Sequence, residues 1–257
     1  MRATDRRDEI LRLVREEGYV NAAALAQRLN VDTSTVRRDL ARLEQLGLVD
    51  RSHGGAIRRR DEPEVPYQVK LEQRVAEKEA IGRAAAAQVP DGGSVMLDSG
   101  STTLMVARAL SGRRNLTVVT ADVRIAAELV TRPDVRLIVP GGESVPDTTT
   151  VVSQEAVELV QRMHVDLTVL GVDALDRDGA TSFTSTVVPL KRAMIASGRR
   201  TVIVADSSKL GRRQLVRVAS LEEVDEVITD AGADPRLVDQ FPVPVQAVGA
   251  ETEKVVR

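Results

Sequence analysis

The chain has 257 residues, with 36 Lys/Arg against 38 Asp/Glu and a formal net charge of −2, enough length for a small and a larger domain. The absence of cysteine excludes disulfides, thiolate metal sites and cysteine catalysis, and fits a reducing compartment. Two Phe, two Tyr and no Trp leave no stacking platform for single-stranded nucleic acid, and the two histidines, His53 and His164, have no ligand spacing, so no metal and no cofactor are expected.

Charge is unevenly spread. Residues 1–60 carry 13 Lys/Arg against 9 Asp/Glu, and the remainder 23 against 29. A basic head on an acidic body suits a protein whose head alone meets nucleic acid. No run of 18 apolar residues exists, and Met1-Arg-Ala-Thr4 is not a signal peptide, so a soluble, cytoplasmic protein with no membrane partner is expected.

In chain order, residues 5–17 predict a helix with Ile10, Leu13 and Val14 on one face, ended by Gly18. Residues 22–29 predict a short helix, and Asn30-Val31 a tight turn. Residues 32–46 then form one amphipathic helix, with Val36, Leu40 and Leu43 as the core stripe and Asp32 placed to cap the first-turn amides. Thr33, Ser34 and Thr35 put short hydroxyl side chains in its first turn, followed by Arg37, Arg38 and Arg42. A helix entering a major groove by its N-terminal end needs this order: small polar groups for close approach, then long cations for guanine edges and phosphates. Alone, the stretch reads equally well as a solvated helix face. Its neighbours decide, because two helices joined by a short turn with a basic second helix form a helix-turn-helix. Residues 48–51 and 56–58 predict two strands around Gly54-Gly55, a wing that places Arg51, His53 and Arg58 to Arg60 near backbone phosphates.

Thr35-Val-Arg-Arg-Asp-Leu40 followed by Arg51-Ser-His-Gly-Gly-Ala56 resembles the N-terminal domain of the DeoR family of bacterial transcriptional regulators. Asp32 stands where that family usually has Ser, and both residues cap helices.

Residues 58–66 are charged and hold two prolines, as a linker does. The expected division is a winged helix-turn-helix domain over 1–58, a linker over 59–67, and an α/β domain for effector binding and oligomerisation over 68–257. Residues 68–88 predict one helix. Strands are then predicted at 94–98, 116–119, 135–139, 166–170, 200–205, 226–229 and 243–248, and helices at 101–110, 122–130, 152–163, 189–197 and 235–241. This alternation means a mostly parallel sheet with covered faces.

Ligands of such sheets sit beyond the strand C-terminal ends, and four polar clusters fall there. Asp98-Ser99-Gly100-Ser101-Thr102-Thr103 follows a strand and opens a helix, so free amides, hydroxyls and the helix dipole favour an anion. It has neither the lysine of a P-loop nor the glycine spacing of a dinucleotide site. The others are Gly141-Gly142, Asp173 after Gly171, and Asp206-Ser-Ser-Lys209, whose carboxylates suit sugar hydroxyls and whose lysine suits an anion. Singly, each is also an ordinary turn.

The resemblance extends through these clusters and Lys191-Arg192, in the order of the DeoR-family effector domain. It implies a fold similar to ribose-5-phosphate isomerase and a phosphorylated sugar as effector. Ala121, Ser144-Val145 and Val187-Val188 depart from residues the family often has at those places. The expected function is a sequence-specific DNA-binding regulator, a repressor of a carbohydrate catabolic operon, with a double-stranded operator as partner. The alternative is a sugar-phosphate isomerase with an accessory head. In the related enzyme a glutamate before the lysine-bearing helix moves the proton, whereas Thr184-Ser-Thr-Val-Val-Pro-Leu190 has no carboxylate, so no enzyme activity is expected. One winged helix offers little surface for tight binding, so a homo-oligomer, dimer or higher, is expected.

Overall fold

A computed structural model describes residues 2–52, 54–57, 66–146 and 148–249. Contacts group the chain into two compact units, Met1–Arg74 and Val75–Arg257.

The first unit begins with α1 (Ala3–Glu17), which stops at Gly18, whose φ of 73° suits glycine and whose amide donates to Val14 O at 3.0 Å. Strand β1 (Tyr19–Asn21) leads into α2 (Ala22–Leu29), and Asn21 Oδ1 accepts from the amides of Ala23 and Ala24. Asn30, left-handed at φ 52°, turns the chain into α3 (Thr33–Gln45). Ile10, Leu13, Leu25, Val36, Leu40 and Leu43 meet in the core at no more than 1% exposure, the stripe expected from helical spacing. Burying each such side chain contributes about 1.5–3 kcal/mol. Asp32 occupies the N-cap position, but its exposed carboxylate makes no capping bond. Its backbone carbonyl takes the amides of Thr35 and Val36.

The wing comprises β2 (Asp50–Ser52) and β3 (Gly55–Ile57), and β1 completes an antiparallel sheet in the order β1-β3-β2. Leu48-Val49, expected in the strand, precede it, because Val49 is drawn into the core. Gly55 is required by the pairing: a Cβ there would lie 1.9 Å from Val20 O.

Residues 68–88 do not form one helix. Helix α4 (Tyr67–Glu72) ends at Gln73, which is extended at ψ 139°, and Arg74 turns left-handed at φ 50° before α5 (Val75–Ala87). The Gln73 carboxamide donates to Asp8 Oδ1 of α1 at 2.6 Å, so this end of α4 is fastened within the first unit. Most of the expected linker, residues 58–65, lies outside the described residues.

The second unit alternates as expected. After α5 come β4 (Ser94–Leu97), α6 (Ser101–Ala109), β5 (Leu116–Thr120), α7 (Val123–Leu129) and β6 (Val135–Ile138). A small hairpin, β7 (Glu143–Ser144) and β8 (Val151–Val152), precedes α8 (Gln154–Gln161) and β9 (Leu167–Gly171). Then follow β10 (Ala174–Asp176), β11 (Gly179–Ser182), α9 (Val188–Ser197), β12 (Thr201–Val204), β13 (Val216–Ala219), β14 (Glu226–Asp230), α10 (Pro235–Val238) and β15 (Val245–Val248). Seven strands form a parallel sheet in the order β15-β14-β12-β9-β4-β5-β6. Every residue of central β9 is buried, as a strand covered on both faces requires, and its one polar side chain, Thr168, donates to Met194 O at 2.9 Å. Strands β10, β11 and β13 form a separate antiparallel sheet. Because the main sheet is parallel, all its C-terminal ends lie along one edge. Among the described residues, no helix is long and apolar enough to cross a membrane.

Candidate functional site

In the first unit, α3 presents its outward face. Ser34, Arg37, Arg38 and Arg42 are exposed, while Thr33 and Thr35 are half-buried in the first turn. Arg38 reaches back weakly to Ser34 O at 3.4 Å, and the side chains of Arg37, Arg42 and exposed Arg51 on β2 have no hydrogen-bond or ion-pair partner among the described residues. The acidic residue of the motif points the other way. Asp39 is buried against Arg6 of α1 at 2.5 Å, with side-chain exposures of 12% for Arg6 and 10% for Asp39. A carboxylate that would repel phosphate is thereby neutralised inside, and cations remain outside. His53 lies outside the described residues.

In the second unit, the loop from β4 to α6 is held from both sides. Asp98, 4% exposed at the end of β4, accepts from the amide of Gly171 at 2.9 Å and forms a short ion pair with Lys191 Nζ of α9. Lys191 also donates to Gly171 O at 3.0 Å. Burial pushes the Asp98 carboxyl up, against the ammonium of Lys191 and the amides of Ser99 and Gly171, which draw it down. Gly171 must be glycine, since a Cβ would stand 2.8 Å from Ser99 O. On the other side, Asp122, with no exposed surface, follows β5. Its Oδ1 caps α7 through the amides of Arg124 and Ile125, and its Oδ2 accepts from the amide of Gly100 at 3.2 Å and from the hydroxyl of Thr149. Thr150 Oγ1 lies 2.5 Å from Ser99 Oγ.

These bonds correct two details of the expected anion seat. The Gly100 amide, expected to face a ligand, is taken by Asp122, and Gly100 is instead required for its φ of 142°. The Thr103 hydroxyl, also expected to face a ligand, is fully buried and donates to Gly100 O at 2.9 Å. Closing the first turn leaves it no other course. The amides of Ser101, Thr102 and Thr103 have no partner among the described residues, as the first turn of a helix dictates. They point where the dipole of α6 favours negative charge.

The remaining candidates are distributed along the same sheet edge. Asp173, beyond β9, accepts from the Ser182 hydroxyl at 2.9 Å and the Phe183 amide at 3.4 Å. Asp206, beyond β12, is 3% exposed and caps a single helical turn through the Ser208 amide; Lys209 closes that turn half-buried. Gly141 and Gly142 follow β6 with φ of 85° and 128°, and Gly142 backs onto the carbonyl of Val152, 2.3 Å from where a Cβ would sit. Gly142 thus serves the hairpin. Asp98 and Lys191, each expected at a ligand, are spent on one another and brace the loop. Asp122, Thr149 and Thr150 were not marked by the sequence as site residues. The signals present were an Asp opening a helix after a strand and a threonine run beyond the paired glycines.

Residues 6–61 match the DeoR-like helix-turn-helix domain, and residues 73–231 match the DeoR C terminal sensor domain. The chain is a DeoR-family transcriptional regulator. It is 34% identical over 232 residues to the glycerol-3-phosphate regulon repressor of Escherichia coli (strain K12), covering 90% of this chain and 92% of that one. It is 36% identical over 236 residues to the HTH-type transcriptional regulator GlpR of Haloferax volcanii, covering 91% and 92%. The HTH-type transcriptional repressor CsqR of E. coli is 33% identical over 226 residues, covering 88% and 87%. Among solved structures, ribose 5-phosphate isomerase A from Neisseria gonorrhoeae matches 51% of this chain and 52% of its own, at 18% identity and a TM-score of 0.37, too loose a likeness to argue from.

The buried pair of this DeoR-family chain makes a sharp prediction. Lys191→Met strands Asp98 as an uncompensated buried charge and is expected to destabilise the second unit by about 3–5 kcal/mol. Asp98→Asn combined with Lys191→Met removes both charges and is expected to cost much less than the lysine change alone. Denaturant unfolding of wild type, Asp98→Asn, Lys191→Met and the double variant checks this, and additive losses would contradict a coupled pair.

Proposed function

We propose that the chain is a repressor of a carbohydrate or polyol-phosphate catabolic operon, released or engaged by a phosphorylated metabolite. The observation that carries this reading is the start of α6, where three unspent amides follow a parallel strand. A phosphate takes such donors well. The names of the glycerol-3-phosphate regulon repressors support the same class of ligand. Ser99, Ser101 and Thr102 form the seat, with Thr103 buried behind them and Asp98 and Lys191 bracing it. Gly141, Gly142, Asp173, Asp206 and Lys209 line the approach for the remainder of the ligand. Thr33 to Thr35, Arg37, Arg38, Arg42, Arg51 and His53 meet a double-stranded operator, and a dimer or higher oligomer supplies paired half-sites. We read the chain as a cytoplasmic, non-enzymatic regulator, since the segment from Thr184 to Leu190 has no carboxylate to shuttle a proton.

Arg37→Ala and Arg38→Ala are each expected to cost about 1–3 kcal/mol of operator binding where the side chain reads a base edge. Where it touches phosphate alone, binding weakens on every sequence and the salt slope falls by about one. Titrations at several fixed salt concentrations separate these outcomes, and unchanged binding in the double variant would remove α3 from the interface.

For the effector, operator affinity is expected to change roughly 5–150-fold with a phosphorylated sugar or glycerol phosphate and not with its unphosphorylated parent. Ser101→Ala with Thr102→Ala removes two hydroxyls of the seat, leaves its amides, and is expected to weaken that response. Binding assays across a panel of such pairs check this, with turnover of ribose 5-phosphate staying at background. A response to unphosphorylated sugars alone would overturn the phosphate reading, and turnover scaling with protein would overturn the non-enzymatic one.

A further inference from the structure

The bonding around Ser99 carries an assignment that rests on the sugar-phosphate reading and goes past it. Thr150 is 3% exposed, and among the described residues Ser99 Oγ, at 2.5 Å, is the single partner of its hydroxyl. A buried hydroxyl proton needs an acceptor. Thr150 therefore donates and Ser99 accepts; the reverse polarity would leave the Thr150 proton unbonded in the interior. Ser99 is half-exposed, and its own proton remains for a group beside the start of α6.

Thr150 has little freedom to do otherwise. Its amide donates to Thr148 Oγ1 at 3.1 Å, and its backbone bridges to Asp122. The next amide, Val151, donates to Ala121 O at 2.9 Å, and Thr149 before it donates to Asp122. The carboxylate that withholds the Gly100 amide thus also fixes the segment carrying Thr150. An accepting hydroxyl is in turn a stronger donor.

We infer that Thr150 is a specificity-determining positioning residue for the anion. By filling an acceptor lone pair of Ser99, it commits the Ser99 hydroxyl to donate. At Ser99 the seat then presents a donor beside the free amides of α6, and at that point it favours an oxyanion over a ligand that would itself donate there.

The test titrates inorganic phosphate into the full chain, followed by phosphorus and amide NMR. The proteins are wild type, Thr150→Val, Thr150→Ala, Thr150→Ser, Ser99→Ala and Ser99→Ala/Thr150→Val. Deleting the Thr150 hydroxyl is expected to weaken phosphate binding about 3–10-fold, with Thr150→Ser restoring it to within about 2-fold. In the Ser99→Ala background, Thr150→Val is expected to add nothing, a coupling that general destabilisation would not produce. Thr150→Ala serves as the hydroxyl deletion if the valine variant does not fold. Equal affinity in wild type and the deletions, or additive losses in the double variant, would overturn the assignment. Operator binding with the phosphosugar panel, run on the same proteins, separates the two levels. A wild type that responds to phosphosugars while the deletions bind phosphate equally well removes the Thr150 role alone. A wild type that neither binds phosphate nor responds removes the sugar-phosphate reading and this assignment together.

Discussion

Two buried carboxylates at the ends of adjacent strands set the geometry of the second unit's candidate site. Asp98 leaves β4 and Asp122 follows β5, and between them they hold the short loop that enters α6. Each is satisfied by groups from distant parts of the chain, Gly171 and Lys191 for the first and Gly100 and Thr149 for the second, to which the second adds the nearby α7 amides. Burying a carboxylate without such partners would cost several kcal/mol, so the loop cannot relax without breaking many bonds together. The result is a rigid frame that leaves α6's first amides unspent. Preorganised donors bind an anion without first having to be ordered.

The first unit handles charge by the same rule with the opposite outcome. Its one acidic residue within the arginine motif, Asp39, is turned inward and neutralised by Arg6, while Arg37 and Arg42 are left without internal partners among the described residues. A cationic outer face on α3 follows from which charges are consumed and which are not. A metabolite bound at the second unit can shift DNA affinity only by favouring one arrangement of the chain over another. The described covalent path toward that unit includes a helix break at Gln73-Arg74, with Gln73 fastened to Asp8 of the first unit.

Much of this was legible in the sequence because it is written in local periodicity. The stripe of Val36, Leu40 and Leu43 and the apolar strands of the parallel sheet were readable from spacing alone, and the stripe and the central strands β4, β9 and β12 occupy core positions. What escaped was non-local. Strand β1 has three residues and exists through pairing with β3, far along the chain. The break at Arg74 interrupts a stretch of good helix formers, because a tertiary bond to Asp8 outweighs propensity. The strands β10, β11 and β13 are too short to show alternation. In the site, residue types and loop positions were readable, but not how the polar groups divide between bracing and binding. Asp98, Gly100 and Lys191 carry the chemistry of a ligand site, and only the bonds to Gly171 and Asp122 reveal that they hold the frame.

The central claim is that the first amides of α6 receive the phosphate. Amide chemical shifts of the full chain, recorded with glycerol 3-phosphate and separately with glycerol, test it most directly. The account predicts that the Ser101 and Thr102 amides move downfield with the phosphorylated compound alone, while the Gly100 amide, already bonded to Asp122, moves little. Binding of glycerol 3-phosphate with those two amides unmoved, and shifts clustered elsewhere, would contradict it.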